Sequence, residues 1–124
     1  MKSGKSYISP AVSLTPTGNR NATANGTSVD LTAYDECIVV ITSDTITDGT
    51  HTPKLQDSAD NSTWNDVAAG NLDGTFAAIT ASSVQTVGYK GTNRYVRVVV
   101  TVSGATTGGK YAAEVVRMLP KYAS

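Results

Sequence analysis

With one histidine and one cysteine among its 124 residues, the chain has few side chains that could do chemistry. Cys37 lies inside the run Cys37-Ile38-Val39-Val40-Ile41. A reactive thiol needs a nearby cation or histidine and partial exposure. The run offers neither and predicts a small buried hydrophobe. His51 sits between Gly49-Thr50 and Thr52-Pro53, which predicts a solvated loop histidine. There is no Gly-x-Ser-x-Gly elbow, and one His with one Cys does not make an ordinary zinc site. The expectation is therefore no enzyme, with no catalytic, cofactor-binding or metal-binding residue.

Carboxylates and glycines point the same way. Asp57, Asp60 and Asp66 fall in or around a predicted hairpin, where Asp bonds nearby backbone amides. Asp44 and Asp48 could share a calcium ion with Asp57 or Asp60, but the spacing departs from the Asp-x-Asp-x-Asp-Gly loop. Gly104 to Lys110 lacks the Gly-Lys-Ser/Thr ending of a phosphate loop and leads into a β-type run. Sequons beginning at Asn21, Asn25 and Asn61 are what chance produces in a chain so rich in Asn and Thr.

Recognition residues are easier to find. Tyr89-Lys90-Gly91-Thr92-Asn93-Arg94-Tyr95-Val96-Arg97 packs two tyrosines and three cations into nine residues. Such a set can stack on single-stranded nucleic acid, anchor a protein interface, or form an ordinary strand entry. Tyr89, Lys90, Arg94, Tyr95 and Arg97 are the interface candidates, joined by Tyr7 and Ile8 near the start. Trp64, the one tryptophan, reads as a core or cross-strand aromatic; alternatively, with neighbouring Asn and Asp, it could stack on a sugar ring.

The elements that must carry these residues are strands. Glu36 to Ser43 reads as a central strand whose unbroken apolar run implies cover on both faces. Arg94 to Val102 alternates Val96, Val98, Val100 and Val102 against Tyr95, Arg97, Val99 and Thr101. Thr52–Asp57 and Thr63–Ala68 read as a hairpin with a longer loop. Thr75–Thr80, Ser83–Gly88 and Tyr111–Met118 read as further strands. Pro10 confines Tyr7–Leu14 to a sheet edge or an arm. The expectation is an all-β fold, an antiparallel β-sandwich or jelly-roll of about eight strands. Its divisions are an arm or edge segment over 1–27, a sandwich over 28–119 and a tail over 120–124.

Composition agrees. Charged residues are only 16% of the chain, below the usual ~25%, and Thr, Ser, Asn and Gly make up the difference. Ten basic residues balance ten acidic ones, so no global field draws the protein to nucleic acid or an anionic membrane, and neither is an expected partner. No apolar segment follows the first lysines as in a signal peptide, which predicts synthesis in a cytoplasm.

Two stretches resemble a known group. Lys54 to Val67, with Leu55-Gln56-Asp57-Ser58 and Thr63-Trp64-Asn65-Asp66-Val67, is similar to a hairpin of small tailed-bacteriophage and prophage virion proteins. Val87-Gly88-Tyr89 and Arg94 to Val102, followed by Gly104 to Gly108, resemble the second half of those proteins. The resemblance covers about residues 28–118 and is to capsid decoration (cement) proteins. It implies a non-enzymatic structural role on the outer capsid surface of the virion and synthesis in a bacterial host. It also implies the major capsid protein as partner, and a homo-oligomer, dimer or trimer. The alternative is a carbohydrate-binding sandwich module of a phage fibre or adhesin.

Overall fold

The computed structural model describes residues 8–34 and 36–118. Period-two alternation of apolar and polar side chains builds the fold. Sheet A joins β1 (Ile8–Leu14), β10 (Gly109–Met118), β4 (Glu36–Ile46), β8 (Val84–Tyr89) and β7 (Leu72–Asp73) in that spatial order. Sheet B joins β2 (Ala24–Asn25), β9 (Tyr95–Ser103), β5 (Thr50–Ser58) and β6 (Asn65–Asp66), with β3 (Val29–Asp30) also on β9. Every pairing among the described residues is antiparallel. The two sheets pack face to face as a β-sandwich.

The core is the set of inward positions. Cys37, Val39 and Ile41 of β4 and Tyr111, Ala113 and Val115 of β10 meet Val96, Val98 and Val100 of β9 and Leu55 of β5. β-branched side chains dominate because they fill a pleated surface with little rotamer freedom to lose. Consecutive long strands change sheets: β4 leads to β5, and β9 to β10, at one end of the sandwich, and β8 to β9 at the other. Ser13, buried where β1 bulges, accepts from the Val98 amide (3.0 Å) and donates to the Thr27 carbonyl (2.9 Å), tying the sheets together. Both strand prolines suit the pairing. Pro10 lies on edge strand β1, and β6 pairs only with Gln56 and Asp57, so β5 is unpaired on that side at Pro53.

Side-chain bonds close the two ends. At one, the Asp48 carboxylate accepts the amides of Thr106, Thr107 and Gly108 and locks the β4–β5 turn to the β9–β10 turn. At the other, Arg117 donates to the Ser9 carbonyl and hydroxyl and to the Asp30 carbonyl, at 3.0, 2.9 and 3.0 Å. Its guanidinium also lies 4.7 Å over the Tyr34 ring.

Several expectations are corrected. His51 is not a loop residue: it is an inward position of β5, 1% exposed. Nε2 donates to the Asp48 carbonyl (2.9 Å) and Nδ1 accepts from the Tyr111 hydroxyl (3.0 Å), so satisfied bonds let the ring enter the core. Asp57 is no turn carboxylate but a buried strand residue. No described residue covers the outer face of β4, and Ile38 is 37% exposed. Thr75–Thr80 forms no strand. There the Gln85 side-chain amide bonds both backbone groups of Ala77 at 3.0 Å in place of a ladder. Residues 8–14 form the edge of sheet A, whereas residues 1–7 and 119–124 lie outside the described residues.

Candidate interaction surfaces

Three surfaces carry recognition chemistry. On the outer face of sheet B, β6, β5 and β9 bring Asp66, Gln56 and Arg97 into one row. Arg97 donates through Nε and Nη2 to Gln56 Oε1 (2.9 and 2.8 Å), and its guanidinium lies 4.5 Å over the Trp64 ring. Gln56 Nε2 donates to Asp66 (2.9 Å), which also meets Lys54 Nζ at 3.0 Å. These two donors hold the Asp66 carboxyl below the usual range. One row along, Arg94 lies 5.0 Å from the Tyr95 ring and pairs with Asp30 at 2.9 and 3.1 Å. The Arg94 bond, followed by the Thr32 amide, holds Asp30 far below the usual range. Most charges here are paired, and Arg97 stands against neutral partners.

At the sandwich end near Tyr34 is a cleft of about 390 Å³, lined by Leu31, Tyr34, Cys37, Tyr89, Asn93 and Arg94 among others. Tyr89 forms its floor. The Tyr89 hydroxyl donates to Asp57 Oδ2 at 2.7 Å and accepts from the Asn93 amide at 3.2 Å. Burial first, then the Asp57 bond, raises the Tyr89 phenol well above its usual range. Burial pushes the Cys37 thiol up to about 11, the reverse of what nucleophilic activation requires.

The outer face of sheet A is different in kind. The register places Pro10, Val116 and Ile38 in one row, and Val12, Glu114, Val40 and Thr86 in the next. Ala112, Thr42 and Val84 follow. Ile8 (44% exposed), Val12 (44%), Ile38 (37%) and Val84 (64%) all stand on this face. They are the exposed large hydrophobics of the described residues. Scattered apolar side chains need no explanation, but a contiguous field of them marks a contact surface.

The structure separates the sequence candidates. Arg94, Tyr95 and Arg97 share the outer side of sheet B, whereas Ile8 stands on the opposite side of the molecule, on sheet A. Lys90 is exposed beside the cleft. Tyr89 is a correction: only 8% exposed, it turns inward because its strand parity matches Val87, and its hydroxyl is engaged by Asp57. Tyr7 lies outside the described residues. Val12, Ile38, Val84 and Glu114 were missed, although the alternation of β4 held the signal: if Val39 and Ile41 face the core, Ile38 and Val40 face away.

Among the described residues no group of His, Cys, Asp and Glu is placed to hold a metal ion, and no helix is long and apolar enough to cross a membrane. No known protein family, curated protein or solved structure matches the chain.

Proposed function

We propose that this protein is a structural component of a virus particle, a decoration protein on the outer capsid surface that stabilises contacts between capsid subunits. The observation that carries the reading is the exposed apolar face of sheet A, with Ile8, Val12, Ile38 and Val84 on one side of a hydrogen-bonded sandwich. The resemblance of residues 28–118 to decoration proteins supplies the particle. A closed β-sandwich tied at both ends suits a part that bears load, because contacts on a stiff scaffold lose little conformational entropy. A chain without net charge can be packed in many copies without mutual repulsion, and multivalency strengthens individually modest contacts. Self-association as a dimer or trimer belongs to the same proposal. Synthesis falls in the bacterial host before incorporation.

The test is rebinding. Particles of the encoding virus assembled without this chain should take up the purified protein to a fixed, saturating copy number; no uptake at micromolar concentration refutes the role. The sugar-binding alternative is less favoured, because Arg97 already covers one face of the Trp64 ring.

A further inference from the structure

The outer face of sheet A carries charges as well as apolar groups. Among the described residues, Glu36, Asp44, Asp73 and Glu114 stand at outward positions with Lys110, and Lys90 directly follows β8 with the same parity. Glu114 is the informative one. It stands mid-strand on β10, with Val12 of β1 on one side and Val40 of β4 on the other. Ala112 and Val116 precede and follow it on the same face. No described cation pairs with it: the ion pairs of the described residues are Lys54–Asp66 and Arg94–Asp30, both on sheet B. A single carboxylate thus stands in the middle of an apolar field.

Any occupant that covers Ile8, Val12, Ile38 and Val84 removes Glu114 from water as well. Burying an unpaired carboxylate costs several kcal/mol and would cancel the gain from the surrounding apolar contacts. The occupant must therefore bring a cation to that point. A second copy of this chain in a two-fold stack brings the same acidic face, since an isologous contact sets one patch against itself. Two Glu114 carboxylates and their acidic neighbours would then share one low-dielectric interface.

We infer that the outer face of sheet A docks a different protein chain, whose matching surface is apolar and carries one arginine or lysine set to reach Glu114. The inference rests on the virion reading, which makes that partner the capsid shell protein, and adds which face is used and what the shell must present. Arginine suits the place better, because its planar fork meets a carboxylate with two parallel bonds and is the more weakly hydrated cation. Pro10 supports face docking over strand addition: it stands in the edge strand beside the patch and blunts that edge against a further strand.

Binding to particles lacking this chain is measured for the wild type, Glu114→Gln, Glu114→Lys, Val84→Asp and, on the opposite sheet, Thr101→Asp. Melting curves first establish that each variant folds. Glu114→Lys and Val84→Asp should weaken binding by roughly 30-fold or more, Glu114→Gln should act mainly by faster dissociation, and Thr101→Asp should stay within about twofold. If the wild type does not bind, the virion reading falls and the inference with it. If the wild type binds and the sheet A variants bind equally well, the virion reading stands and the inference is overturned. Two measurements on the free protein decide the remaining occupants. A dimer that Val84→Asp dissociates would make the face a contact between copies, and resistance of Glu114 to carbodiimide labelling in the monomer would mean that another segment of the chain covers it. Either result overturns the inference; a face that labels readily and forms no dimer upholds it.

Discussion

Replacing Tyr89 by Phe removes one oxygen atom and tests how the cleft end of the sandwich is held. The Tyr89 hydroxyl donates to Asp57 Oδ2 at 2.7 Å and accepts from the Asn93 amide at 3.2 Å, while both Tyr89 and Asp57 are under a tenth exposed. A hydrogen bond to a charged group contributes about 1.5–3 kcal/mol, and an orphaned buried acceptor retains its desolvation penalty. The ring itself stays packed, so no cavity term enters. The expected loss is about 2–3 kcal/mol, which lowers the melting temperature of a domain this size by about 6–15 °C. Urea titrations of wild type, Tyr89→Phe, Asp57→Asn and the double variant should give a coupling energy of at least about 1 kcal/mol. A Tyr89→Phe loss below about 0.5 kcal/mol, or additive single effects, would refute the assignment of this bond as the tie between β8 and β5.

Gly108 has φ +91°, and an added Cβ would run into the Arg20 backbone carbonyl. Gly108→Ala should therefore cost about 3 kcal/mol or more in thermal unfolding, whereas Gly104→Ala, at φ +67° with open space, should cost only about 1 kcal/mol. The phenols of Tyr89 and Tyr111 are raised, in both cases by burial first. Ultraviolet titration should show these two of the six tyrosines ionising above the usual ~10. A raised folded-state value means that the stabilisation is complete below the unfolded value and is lost as pH rises through the folded one. Asp48 is held below the usual carboxyl range by the amides of Gly108, Thr107 and Thr106. Its contribution is thus present above the unfolded value of ~3.9 and is lost as pH falls below it. Amide exchange at Thr106, Thr107 and Gly108, corrected for its intrinsic pH dependence, should lose protection as pH falls below about 4, and Asp48→Asn should remove much of that acid dependence.

The sequence made the long strands legible because burial on one face leaves a period of two. β9, β5, β8 and β10 begin within two residues of the positions that alternation gives them, and the Trp64 hairpin folds as β5–β6 around Asp60, which accepts the Ser62 and Thr63 amides. What misled was local reading of residues whose partners are remote in sequence. His51 lies between turn-forming residues, and only Tyr111, 60 positions away, together with its own strand register makes it a core residue. Tyr89 and Arg97 belong to one short aromatic and basic stretch, but consecutive strands change sheets and send one to the core and the other to the outer side of sheet B. The apolar run of β4 suggested cover on both faces; its alternation sets Ile38 outward, but only the register with β1, β10 and β8 gathers Ile38, Val12 and Val84 onto one exposed face.

An electron cryo-microscopy map of the particle carrying this protein would show the docked face directly. Sandwich density is expected on the outer shell, with β1, β10, β4 and β8 turned toward the shell protein and a basic side chain beside Glu114. Density that turns sheet B to the shell and leaves Ile8, Val12, Ile38 and Val84 in solvent, or a particle without such density, would contradict this docking.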